Sequence, residues 1–120
     1  MMSELATRET LLSAPKRRFT EVTIPDWGTF RIRSLTELER SRLEASMLDK
    51  KGQLSPNKLI DHKCRLIVAC VVDAEGNQLL TNGDIAALQQ QDSSLTNLLV
   101  DEIQKHCGMS DADIEALEKN

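Results

Sequence analysis

The oxygen-bearing side chains of Asp73, Glu75, Asn77 and Asp84 stand in the stretch 73–84 together with Gly76 and Gly83. Oxygen ligands beside glycine suggest calcium chemistry, which in a helix-loop-helix site needs ligands at alternate positions, glycine sixth and a bidentate glutamate twelfth. Counted from Asp73, glycine comes fourth, leucine seventh and Asp84 twelfth, so the register fails. The same residue types build a tight turn followed by a helix start, and that is the reading the spacing supports.

Zinc is the next chemistry to test, through His62, Cys64, Cys70, His106 and Cys107. A structural zinc site takes close pairs presented from one turn or face. Cys64 and Cys70 are six apart on one helical pattern and diverge, as do the adjacent His106 and Cys107, so core thiols and partly exposed histidines are expected. Three cysteines are an odd number without framework spacing, which favours free thiols in a reducing cytoplasm. For hydrolysis, a nucleophile must sit beside a base, or two carboxylates across a cleft. The serines at 13, 34, 55, 93, 94 and 110 mostly stand where caps and turns belong, and no phosphate-binding or dinucleotide-binding glycine motif occurs. No catalytic residue, metal ligand or cofactor is assigned, and the protein is expected not to be an enzyme.

Two features point to partners rather than reactions. Lys16, Arg17 and Arg18, extended by Arg31 and Arg33, could grip phosphate, but the net charge of −4 and the lack of stacking aromatics argue against nucleic acid as a partner. Arginines along a strand edge also discourage sheet-to-sheet association. Trp27, one of three aromatic residues with Phe19 and Phe30, is favoured as core because large core residues are scarce; its other reading is a partner contact.

These residues need elements to position them. Residues 1–17 read as a flexible or weakly helical arm closed by Pro15. Residues 18–33 read as a β-hairpin turning on Pro25, Asp26, Trp27 and Gly28, with Phe30 and Ile32 alternating with Arg31 and Arg33. Ser34 and Glu37 have capping-box spacing for a helix from about Leu35 to Asp49, with Leu35, Leu38, Leu43 and Met47 on a broad face and Lys50, Lys51 and Gly52 at its end. Ser55 and Pro56 start a central helix in which Leu59 or Ile60, Cys64, Ile67, Val68 and Val71 recur at helical spacing. A turn at 73–77 follows, then a second capping box at Thr81 and Asp84 with Leu80 stapled to Ile85, opening a short helix to about Gln90. Asp92 or Ser93 starts an amphipathic helix bearing Leu95, Leu98, Leu99, Ile103 and His106, ended by Gly108. Ser110 and Asp113 box a last short helix carrying Ile114 and Leu117, with Met109 as its staple.

With 120 residues, 40% of them hydrophobic and 28% charged, this is one domain spanning 18–120, mainly α with a small N-terminal β-hairpin. The longest apolar run, 66–72, falls far short of the ~18–20 residues of a membrane span. The opening residues lack the basic start and apolar block of a secretory signal, so no membrane or export role is expected.

The order of these parts resembles the tail assembly chaperone family of long-tailed bacteriophages. The likeness is carried by Val72, Asp73, Glu75, Gly76, Asn77, Leu79, Leu80, Thr81, Asp84, Ala87 and Leu88, and by the closing Leu117 to Asn120, within about residues 18–120. The resemblance implies a protein that binds the tape measure protein in the host cell cytoplasm, keeps it soluble, recruits the major tail protein around it and is absent from the mature virion. It also implies that a longer form can arise by ribosomal frameshifting. Apolar helix faces suit such a role; Trp27, Ile114 and Leu117 are the candidate partner contacts, and self-association into rings or strings is a further expectation. The alternative is a small phage or bacterial regulatory protein that binds nucleic acid through Lys16 to Arg18 and the hairpin.

Overall fold

The computed structural model describes residues 5–13 and 17–108. The chain runs α1 (Arg8–Leu11), β1 (Phe19–Ile24), β2 (Gly28–Arg33), α2 (Glu37–Ala45), α3 (Pro56–Cys70), β3 (Val71–Val72), a 3₁₀ turn (Asn82–Asp84) leading into α4 (Ile85–Leu88), and α5 (Ser93–His106). The expected hairpin is present in register, Val22 opposite Phe30 and Thr20 opposite Ile32. Its turn closes by Trp27 N–H donating to the Ile24 carbonyl, with Asp26 at φ 74°, a left-handed conformation that aspartate tolerates better than most residues.

The mainly α expectation is corrected. Val71 and Val72 leave the central helix as a third strand, pairing antiparallel with Ile32 and Arg31 to give a sheet in the order β1-β2-β3. Helix takes 49% and strand 17% of the described residues, which makes the fold a mixed α+β domain. The run Leu66 to Val72 is apolar nearly all round, so periodicity gave no mark of where helix yields to strand. The β-branched valines and the open edge of β2 decide it.

The turn after β3 is a small hairpin of its own. Gly76 N–H donates to the Asp73 carbonyl, Asp73 N–H to the Asn77 carbonyl, and the Asp73 carboxylate accepts from the N–H groups of Glu75 (2.9 Å) and Asn77 (3.0 Å). The same construction stands between α2 and α3: the Asp49 carboxylate accepts from Lys51 (2.8 Å) and Gln53 (3.0 Å), and Leu48 bridges Leu54. Gly52 and Gly76 occupy the same place in the two turns, at φ 78° and 86°. Gly52 therefore turns a hairpin and does not end a helix as expected.

α2 is shorter than expected and differently capped. Thr36, not Ser34, caps it: Glu39 N–H donates to Thr36 Oγ1 (3.2 Å) and Thr36 N–H to Glu39 Oε1 (2.9 Å). Ser34 extends the hairpin pairing, exchanging hydrogen bonds with Arg18. Four expectations hold: Ser55 with Pro56 starts α3, Thr81 with Asp84 opens the short fourth helix, Asp92 caps α5, and Gly108 follows its end. The core joins Ile24 and Ile32 of the sheet to Leu66, Ile67, Cys70 and Val71 of α3 and β3, and to Leu95, Leu99, Val100 and Ile103 of α5. The expected helix at 110–120 lies outside the described residues.

Replacing Asp73 by alanine strands two backbone N–H groups at the turn that holds β3 on the sheet. A loss of about 1–2 kcal/mol in urea denaturation is expected. An unchanged midpoint would show that the turn folds without its aspartate.

Candidate functional site

The oxygen-rich stretch at 73–84 is accounted for by backbone structure, Asp73 in the turn and Asp84 receiving the Thr81 N–H at 2.8 Å. Among the described residues no group of three or more His, Cys, Asp or Glu is placed to hold a metal ion. Cys64 and Cys70 are buried and Cys107 is half-buried.

The basic residues of the hairpin are engaged in the fold. Arg17 reaches Glu39 at 2.7 Å and the Ser34 carbonyl at 3.3 Å. Arg18 donates to the His106 carbonyl, while His106 Nε2 donates to the Arg18 carbonyl at 2.8 Å. Arg31 lies 4.8 Å above the Phe19 ring. Arg33 donates through Nε to the Ala69 carbonyl at 2.9 Å. Lys16, Ile114 and Leu117 lie outside the described residues. Trp27 is 40% exposed at the hairpin tip, which corrects the expectation that it is core. The core is filled without it, by aliphatic residues and Cys70.

The surface features that invite a ligand gather around α2. On one flank, a groove of about 420 Å³ is walled by Arg33, Glu39, Arg42, Arg65, Gln78 and Asn82, with Leu43, Val68 and Ala69 beneath. On the other, a mainly apolar groove of about 350 Å³ is lined by Ser41, Glu44 and Ala45 of α2, by Met47, and by Leu48, Gly52 and Leu54 of the 48–54 hairpin. Leu38, 58% exposed, heads the row that continues at helical spacing through Ser41 and Ala45, the α2 edge of the apolar groove. An exposed leucine alone is ordinary, but one heading a ridge beside an open apolar groove is the form of a helix-docking surface.

Glu39 fixes α2 against the sheet. Burial alone raises its carboxyl pKa; the Arg17 hydrogen bond, the Thr36 N–H and the charges of Arg17 and Arg33 outweigh that and hold it at about 2. Nearby, the thiols of Cys70 and Cys107 share a hydrogen bond. Cys70 is raised by donating it and by burial. Cys107 is lowered by receiving it, burial opposing, with Leu35 N–H, Arg18 and Arg40 adding to the effect.

Reading the sequence missed this site. Glu39, Arg42 and Arg65 form no motif in the sequence, and Lys50, Lys51 and Gly52 have the composition of a helix end, not of the hairpin they build. One signal was available: Asp49, Gly52 and Gln53 repeat the spacing of Asp73, Gly76 and Asn77. Compared with protein families, curated proteins and solved structures, the chain matches none.

Because the Glu39 pKa is about 2 in the fold and about 4.5 ordinarily, its stabilising contribution is complete above pH 4.5 and is lost as pH falls towards 2. Glu39→Gln should be less stable at neutral pH and show a flatter acid limb in urea denaturation. Parallel curves would contradict the assignment. Iodoacetamide should modify Cys107 alone in the folded protein, and Cys70→Ala should slow that reaction at neutral pH by removing the donor that favours the thiolate. Equal labelling of Cys64 or Cys70 under native conditions would contradict the thiol arrangement.

Proposed function

We propose that this protein is a non-enzymatic phage tail assembly chaperone that binds the tape measure protein and promotes tail tube assembly in the host cytoplasm. The observation that carries the reading is the α2 ridge, with Leu38 exposed beside the apolar groove of Met47, Leu48 and Leu54. A long helical protein awaiting its tube presents apolar stripes that must be kept from one another, and a groove beside an exposed leucine accepts such a stripe. The resemblance carried by Val72 to Leu88 supports the family assignment. In the fold, Asp73, Gly76 and Asn77 shape the turn that closes β3, so the likeness is one of scaffold.

Recruitment of the major tail protein and self-association belong to the same proposal, with Trp27 as a further exposed contact at the hairpin tip. No described helix is long and apolar enough to cross a membrane. The nucleic-acid alternative is weakened because Arg17, Arg18 and Arg33 have partners within the domain.

Co-expression with a tape measure protein should render that protein soluble, and the two should copurify in high salt, where nucleic-acid binding is lost through counterion competition. Leu38→Glu and Leu54→Glu should weaken the complex on the order of 30-fold, the scale of a hot-spot loss of about 2 kcal/mol. A folded protein that leaves the tape measure protein insoluble would overturn the reading.

A further inference from the structure

The arginine-lined groove on the other flank of α2 has donors that the fold does not use. Arg33 caps the C-terminal end of α3 through Ala69, as Gln78 does through Val68, so these two satisfy carbonyls the helix leaves open. Arg65 is different. Its Nε is buried without a hydrogen-bond partner. Its Nη2 forms a long ion pair, 3.7 Å, with Asp61 Oδ2, while the other oxygen of that carboxylate accepts from Gln89 Nε2 at 2.6 Å. Arg42 is exposed and forms no ion pair among the described residues. A buried guanidinium nitrogen without an acceptor is costly, and the rest of the Arg65 side chain, 33% exposed on the groove wall, is where an acceptor can reach it.

The groove also limits what that acceptor is. Glu39 lies in its wall, and the negative ends of α2 and α3 both face it through Ser46 and Ala69, so added negative charge is penalised. A singly charged planar oxyanion suits this better than a phosphate dianion, and guanidinium forks match carboxylates in pairs. Leu43, Val68 and Ala69 supply an apolar bed for a methylene stem.

We infer that this groove takes the carboxylate of a Glu or Asp side chain on a helical partner, received by Arg42 and Arg65. The inference rests on the chaperone reading for the partner's identity, and on the groove alone for its chemistry. A partner helix lying along α2 would place apolar residues in the Leu48 and Leu54 groove and an acidic one on the opposite flank. That combination gives the surface a preference for one orientation of the helix.

The test is NMR of the ¹⁵N-labelled full chain, following the arginine Nε–Hε signals. The probe is a capped helical peptide carrying one glutamate flanked by leucines, with its glutamine counterpart as control. The glutamate peptide should move the Arg42 and Arg65 signals. The glutamine peptide, or Arg42→Ala with the glutamate peptide, should bind at least about tenfold more weakly, the lower range for a charge-assisted pair. Arg65→Gln should weaken binding in the same way. Equal affinity for the two peptides, or no shift with the glutamate peptide, overturns the inference. So does inorganic phosphate or N-acetylglutamate binding as tightly as the peptide, which would make this a site for a free anion. The two readings fail separately. If Arg42→Ala solubilises the tape measure protein as well as wild type and the peptides do not discriminate, only the groove assignment falls. If the peptides discriminate and the tape measure protein stays insoluble, only the chaperone reading falls.

Discussion

The structure turns on the backbone of Val71. Its N–H closes the last turn of α3 on the Ile67 carbonyl, it pairs with Ile32 in the sheet, and its own carbonyl accepts the Leu79 N–H at 3.1 Å. One residue thus joins the central helix, the central strand and the returning hairpin. It is almost completely buried, as are its neighbours Cys70 and Val72, so each of these polar groups must find its partner inside the protein. Helix and sheet cannot move independently once that is done.

The α2 surface follows from this junction. With α3 fixed to β2, Arg33 at the end of β2 is brought against the Ala69 carbonyl and within 3.6 Å of Glu39, which Arg17 reaches from the chain before β1. α2 is therefore held by its first turn, through Glu39, and by the Leu48 to Leu54 bridge beyond its last. Its middle contributes little to the shared core: Leu43 packs on it, while Leu38, Ser41, Arg42 and Ala45 face outward.

Much of the fold was legible locally. Helix starts at Ser55, Thr81 and Asp92 are written in cap residues, and the hairpin register follows from alternation of Phe30 and Ile32 with arginines. What could not be read is what needs a distant partner. Val71 and Val72 become strand only because β2 has an open edge. Thr36 displaces Ser34 as cap because Ser34 is taken by Arg18, sixteen residues away. The α2 site was less legible still. Arg17, Arg33 and Glu39 meet through tertiary structure, and Arg42 and Arg65 come from different helices. Only the doubled Asp-x-x-Gly turn at 49–53 and 73–77 left a trace in the sequence, and it marks the scaffold that shapes the apolar groove.

The central claim is that α2 and the hairpin after it form the partner-binding face. Hydrogen exchange of the chain, alone and with a tape measure protein added, tests it most directly, because slowed exchange maps the covered backbone. The account predicts new protection concentrated over residues 38–54, with α3 and α5 unchanged. Protection confined to the hairpin around Trp27, with residues 38–54 exchanging as in the free protein, would contradict it.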